Sequence, residues 1–264
     1  MKISPINYGI YQTVPLNFKA HHSQNIQDFD NPLGALFHTS VFFRYPDTDE
    51  KAAEILKETF PNKKLNIVSQ GCSEGEEVYS LAMMCENKGI EADITGVDID
   101  KNTVNKAQKG AYELDLEEYY YFISEKGKEN LNSIKKHFSE IKNNDLYSYS
   151  TGMFFQKNED AFKNCSFQQG DVLKSDKQFE KGSVNAIFCR NILYHLFYSN
   201  NKLHNQKVCN EAISKLKDNL CDNGLIMFAP HEPSGYDDVI HKALVKHGFK
   251  CLEEKQETIW QKCK

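Results

Sequence analysis

Unbroken apolar runs alternate along this chain with stretches in which apolar residues recur every three or four positions. From Asp49 the spacing of Ala52, Ala53, Leu56 and Phe60 marks one face of a helix that stops at Pro61. The run over 65–70 predicts a buried strand, followed by a helix over 74–87 ending near Gly89, a strand over 92–97 and a helix over 101–109 ending at Gly110. After an interruption, strands are expected at 165–169 and 184–189, then a helix over 203–219 with Val208, Ile213, Leu216 and Leu220 on one face, and a strand at 224–229. Such alternation folds into a parallel sheet with helices on both faces. The end of the chain differs: a helix over 236–247 and Gly248 lead into "FKCLEE" and "ETIWQKC", which are close enough to pair as an antiparallel hairpin at the sheet edge.

Two segments fall outside this rhythm. Residues 1–38 show neither period and are broken by prolines, which predicts an irregular arm ahead of a domain spanning 39–264. Residues 111–164 open with the acidic and aromatic "AYELDLEEYYYF" and continue with Leu131, Ile134, Phe138 and Ile141 at helical spacing. This segment is too long for a plain loop and is expected to form an inserted cap over the mouth of the sheet.

Charge and cysteine usage narrow the classes of partner. The formal charge of −5 is spread along 264 residues with no lysine-rich block, so nucleic acid is not an implied partner. The eight cysteines form no CxxC pair and lie mostly within apolar patterns, as reduced core thiols do, which argues against a disulfide framework or a zinc site. No apolar run approaches the roughly 18 residues a membrane span needs, so a cytoplasmic protein without membrane insertion is expected.

The chemistry concentrates at "LNIVSQGCSEGEEVYSLAMM", residues 65–84, where strand, Gly71 turn and helix have the layout of a nucleotide-binding loop but carry three glutamates. A phosphate cradle offers bare N–H groups at a positive helix end and has no use for carboxylates there. Ser73 and Glu76 stand as S-x-x-E, the spacing of a capping box, and Glu74 faces solvent or favours the helix dipole. Glu77 projects about 100° further round beside the C-terminal edge of the sheet, where it either compensates the dipole or meets a ligand. The strand "ADITGVDID" ends in Asp98 and Asp100. Asp100 suits the N-cap of the next helix, whereas Asp98 closes an apolar strand and needs a partner, as does the acid that grips ribose hydroxyls in dinucleotide folds. A ligand with ribose hydroxyls and cationic groups but no phosphate fits, and S-adenosylmethionine is such a molecule.

In order, "HTSVFFR" (38–44), "SQGCSEGEEVYSLAM" (69–83), "GVDIDKNTVNKAQKGAY" (96–112), "FQQGDVL" (167–173), "NAIFCRNILYHL" (185–196) and "NGLIMFAPHE" (223–232) resemble the successive motifs of CheR-type methyltransferases, which methylate glutamate side chains of bacterial chemoreceptors. The resemblance implies an α/β fold, a class I methyltransferase sheet that is Rossmann-like and mostly parallel with an antiparallel last strand. It implies S-adenosylmethionine as cofactor and no metal. Carried over by position, it assigns cofactor contacts to His38, Ser40, Arg44, Gly71, Glu77, Asp98, Asp171, Val172, Arg190 and Asn191. Arg44 would also orient a carboxylate nucleophile through its fixed fork of donors.

Several positions depart from the family pattern. His38 and Ser40 replace the asparagine and threonine of N-x-T-x-F-F-R, Glu74 replaces a threonine, and Asp171 replaces an asparagine. The family's active-site tyrosine falls at His195, with Tyr194 one residue earlier, so either of the two is its candidate counterpart. The expected activity is methyl transfer to a carboxylate oxygen of a glutamate-bearing protein, receptor-like or otherwise. The alternatives are a small-molecule acceptor with the same fold and cofactor, or a catalytically silent binding module. A nicotinamide oxidoreductase is disfavoured because "GCSEGE" lacks the third glycine of G-x-G-x-x-G.

Overall fold

The computed structural model describes residues 40–114, 116–124, 127–141, 154–190, 192–193, 196, 202–229, 236–253 and 258–263; the N-terminal arm, His38, Asn191, Tyr194 and His195 lie outside these. In chain order the first elements are α1 (Pro46–Thr59), β1 (Leu65–Gln70), α2 (Glu76–Asn87), β2 (Ala92–Asp98) and α3 (Lys101–Lys109). A second group follows: β3 (Ala111–Glu113), α4 (Leu116–Ile123), α5 (Lys128–His137), β4 (Phe138–Ile141) and β5 (Phe154–Lys157). The rest comprises β6 (Cys165–Gln169), a 3-10 turn (Val172–Lys177), β7 (Val184–Phe188), α6 (Lys202–Asn219), β8 (Leu220–Met227), α7 (Tyr236–Lys246), β9 (Phe249–Cys251) and β10 (Ile259–Lys262).

Seven strands form one sheet in the order β6-β2-β1-β7-β8-β10-β9. β1 pairs in parallel with β2 and β7, β2 with β6, and β7 with β8, while β10 runs antiparallel to both β8 and β9. This is the sheet implied by the resemblance, and the hairpin expected from the last apolar runs is present. Alternation along β1 divides the core: Ile67 packs with Ala52, Leu56 and Val78 on one face, and Val68 with Val97, Ile187 and Leu216 on the other. The strand order reverses between β1 and β7, which makes their C-terminal ends the crevice where open α/β sheets bind ligands.

Three expectations are corrected by the structure. Helix α2 begins at Glu76, because Gly75 takes a φ of 101° as its N-cap; Ser73, with a φ of 50°, makes no side-chain cap, so the capping box does not form. Strand β8 starts at Leu220, which the spacing places on the apolar face of the preceding helix, because Asn223 adopts a φ of 61° and the β7–β8 pairing absorbs the extra residues in a register shift. Phe138 and Ile141 do not continue helix α5; they begin and end β4, which pairs with β5 in a three-stranded antiparallel sheet of order β3-β5-β4. Tertiary packing overrode the helical spacing there. Phe138 joins Phe42, Tyr79 and Tyr112 in an aromatic cluster, with ring centroids 5.5, 5.7 and 6.0 Å away.

All eight cysteines are free. Burial pushes the Cys85 and Cys209 thiols up to about 12, so both are neutral fillers of the core. Among the described residues no helix is long and apolar enough to cross a membrane, and no His, Cys, Asp and Glu cluster could hold a metal ion.

Candidate functional site

The turn between β1 and α2 has the outline of a phosphate loop, but its donors are already used. Gly71 N–H and Cys72 N–H both donate to the Val97 carbonyl, at 2.7 and 3.0 Å, and Gly75 N–H donates to the Cys72 carbonyl at 3.0 Å. Ser73 N–H donates to Asp98 Oδ2 at 2.9 Å. The groups that would wrap a pyrophosphate thus hold β1 to β2 instead. Gly71 is required on two counts: its φ is 77°, and a Cβ there would lie 2.5 Å from Ile192 Cγ1.

Around this turn stand three carboxylates, two at or just past strand ends and one in the first turn of α2. Asp98, 8% exposed at the tip of β2, accepts from Ser73 N–H on Oδ2 and from Asp100 N–H on Oδ1 at 3.0 Å. Both oxygens are therefore pinned, and each keeps a lone pair for a further donor. Asp100 caps α3 by accepting from Asn102 N–H at 2.8 Å, as its sequence position predicted. Asp171 follows β6, whose last residue Gln169 is in register with Asp98, and Gly170 N–H donates to the Asp98 carbonyl at 2.8 Å. Its Oδ1 accepts from Leu173 N–H at 2.9 Å, capping the 3-10 turn, while Val172 packs into the core beneath.

The third carboxylate, Glu77, sits in the first turn of α2. Its Oε1 accepts from Ser69 Oγ at 2.7 Å, and its Oε2 lies 3.1 Å from Arg190 Nε. Arg190, just past the end of β7 and 6% exposed, also pairs through Nη2 with Asp49 of α1. Its guanidinium lies over the Tyr45 and Phe188 rings, 4.9 and 5.4 Å from their centroids. Burial opposes the charge on Arg190, but Asp49 and Glu77 outweigh it and hold the group above its ordinary value. Burial likewise pushes Asp49 up to about 7 against the pull of Arg190. Glu76 is turned inward; burial raises its carboxyl to about 7, and the Ser40 side chain hydrogen-bonds to it.

Arg44 is placed by the two phenylalanines before it. Phe42 and Phe43 are buried, with Phe42 against Tyr112 at 5.0 Å and Phe43 against Phe122 at 6.4 Å. Phe43 N–H donates to Ser80 Oγ at 3.0 Å and Phe42 N–H to Glu118 Oε1 at 2.9 Å, which ties the segment to α2 and α4. The half-buried Arg44 then lies over Tyr45, 5.4 Å from the ring that also contacts Arg190.

Of the residues predicted from sequence, Gly71, Glu77, Asp98, Asp171, Val172 and Arg190 meet at the C-terminal edge of the sheet, with Ser40 and Arg44 bordering α2. Sequence reading missed Asp49, Ser69 and Tyr45. The signal for Asp49 was present, since it shares the apolar stripe of Ala52, Ala53 and Leu56, where a carboxylate must find a partner. The chemistry suits S-adenosylmethionine: Asp98 has spare acceptor capacity for ribose hydroxyls, Glu77 contributes negative charge for a cation, and the turn has no bare nest for phosphate.

Comparison with known proteins agrees. Residues 38–232 match the family model described as CheR methyltransferase, SAM binding domain. The probable biofilm formation methyltransferase WspC of Pseudomonas aeruginosa is 25% identical over 200 residues, covering 73% of this chain and 41% of that protein. A chemotaxis protein methyltransferase of Campylobacter jejuni is 28% identical over 134 residues, covering 50% of this chain and 44% of that protein. The chain thus spans less than half the length of these relatives. The crystal structure of monomeric WbdD is similar with a TM-score of 0.47 at 15% identity, over 85% of this chain and 42% of that one. The chain belongs to the CheR methyltransferase family, through its S-adenosylmethionine-binding domain, and S-adenosylmethionine is its cofactor.

Proposed function

We propose that this chain transfers a methyl group from S-adenosylmethionine to a carboxylate oxygen, and that the acceptor is a glutamate side chain of a protein. The observation that carries this reading is the Tyr45 ring shared by two guanidiniums, Arg190 buried against Glu77 and Arg44 half-buried beside them. The first is shared by two carboxylates of the protein itself; the planar fork of the second has the geometry to orient a carboxylate that arrives. Relatives named for chemotaxis and biofilm formation support a protein acceptor.

When bound, the cofactor supplies an electrophilic methyl group on a sulfonium. Asp98 would accept from the cofactor's ribose hydroxyls, Asp171 from its adenine amino group, and Glu77 would hold its cationic methionine end. A glutamate acceptor is already ionised at neutral pH, so the chain needs no strong base. Its work is to hold the acceptor oxygen in line and keep water out, with Arg44 gripping the carboxylate.

Chemistry distinguishes the product. The protein, tritiated S-adenosylmethionine and glutamate-bearing signalling proteins are incubated, and the label is tested for release as methanol under mild alkali. A methyl ester releases it, whereas N-methyl and C-methyl products do not. Label that is stable to alkali, or found only on small molecules, would overturn the assignment.

A further inference from the structure

The cluster of Asp49, Arg190 and Glu77 contains two carboxylates and one guanidinium beside the cofactor turn, with Asp49 and Arg190 buried and Glu77 partly exposed. Arg190 does not hold either carboxylate with both arms of its fork: Nη2 goes to Asp49 and Nε to Glu77. Ser69 Oγ fixes the other oxygen of Glu77. With both acids ionised the cluster therefore carries one unbalanced negative charge. The geometry points to Asp49 as a positioning residue that draws Arg190 partly off Glu77, leaving Glu77 with net negative charge for the cationic methionine end of S-adenosylmethionine. This rests on the reading that Glu77 faces the cofactor.

Without a carboxylate at position 49, Arg190 is free to close both arms on Glu77, as guanidinium and carboxylate prefer. The counter-charge for the cofactor is then cancelled. Other charged groups around Asp49 do not supply a substitute. Glu50 on its own helix is exposed, with Lys88 just past α2 at 3.9 Å, and Cys85 of α2 stays neutral because burial raises its thiol to about 12. Arrival of a cation also favours the ionised form of Asp49, which burial has pushed up to about 7, so binding in slightly acid solution should expel a proton. Glu76, next to Glu77 on α2 and raised to about 7, titrates in the same window and serves as the control.

The test is calorimetric titration of the wild type, Asp49→Asn, Glu77→Gln and Glu76→Gln with S-adenosylmethionine and with adenosine, which carries neither sulfonium nor ammonium. At pH 6 to 7 the cofactor's own amino group remains protonated. Asp49→Asn and Glu77→Gln should each weaken S-adenosylmethionine by roughly tenfold or more, through loss of a nearby counter-charge, and leave adenosine unchanged. Two buffers of different ionisation enthalpy should show the wild type releasing protons with S-adenosylmethionine and not with adenosine, a result that needs no variant. Asp49→Asn should abolish that release and Glu76→Gln should keep it. If Asp49→Asn retains wild-type affinity while Glu77→Gln loses it, the role of Asp49 falls and the Glu77 contact stands. If neither variant loses affinity, both fall. Equal loss for adenosine, or proton release that vanishes only in Glu76→Gln, would also overturn the proposal.

Discussion

Replacing Asp98 by asparagine tests the ribose site with almost no change of shape. The carboxylate accepts two backbone N–H groups, from Ser73 at 2.9 Å and Asp100 at 3.0 Å. An amide has one accepting oxygen, so in Asp98→Asn one of these N–H groups faces an NH2 and is left unpaired, at a cost to folding of about 1 to 3 kcal/mol. For a chain of this size that corresponds to a Tm lower by about 2 to 4 °C per kcal/mol. The ligand suffers separately. At least one charge-assisted bond to a ribose hydroxyl is lost, about 1.5 to 3 kcal/mol, which weakens binding roughly tenfold to a hundredfold. Calorimetry with adenosine and 2′,3′-dideoxyadenosine separates the two effects, because only adenosine has hydroxyls to lose. The expected outcome is a large penalty for adenosine and little for the dideoxy compound. Equal penalties for both would mean that Asp98 shapes the turn and does not hold the ribose.

Other substitutions probe different parts of the site. Arg44→Ala should lower kcat/KM roughly tenfold or more, and Arg44→Lys should restore little of it, because the ammonium lacks the bidentate fork; equal activity in the lysine variant would remove the carboxylate clamp. Gly75→Ala should lose about 1 to 3 kcal/mol in thermal unfolding, since the residue has a φ of 101° and its Cβ would come 2.9 Å from Ala107 Cβ; an unchanged Tm would contradict the turn geometry. Glu76→Gln should stabilise at pH 8 and not at pH 4.5. The folded carboxyl is raised from 4.5 to about 7, so the native state holds its proton longer than the unfolded chain, and stability falls as pH rises through that window. The difference amounts to about 3 kcal/mol at most, and a gain in Tm independent of pH would show that ionisation of Glu76 is not its source.

The sheet was legible in the sequence because its strands are buried on both faces. Such strands must be continuously apolar, and the helices between them must carry one apolar stripe, so β1, β2 and α3 fall within a residue of their expected limits. Boundaries that depend on a single backbone torsion were less visible. Gly75 and Asn223 both take positive φ, and each moved an element end away from its pattern. The helical spacing of Leu131, Ile134, Phe138 and Ile141 misled for a different reason. A short apolar series is compatible with either period, and the aromatic partners that chose the strand come from Phe42, Tyr79 and Tyr112, remote in the chain.

For the site, the sequence by itself determined the acids and their order: Glu77 after the turn, Asp98 at a strand end, Asp171 after a later strand. These are local facts, since a strand end and the next helix start are adjacent in the chain. Only the tertiary structure decided their partners. It tied the turn's N–H groups to Val97 and Asp98, and it turned Glu76 inward toward Ser40. It also brought Asp49 to an arginine 141 residues away, whose guanidinium it shares with Glu77. Which charges neutralise one another depends on distances of a few ångströms across the packed layers. The linear pattern shows only that a buried charge needs a partner, and the fold determines which one it meets.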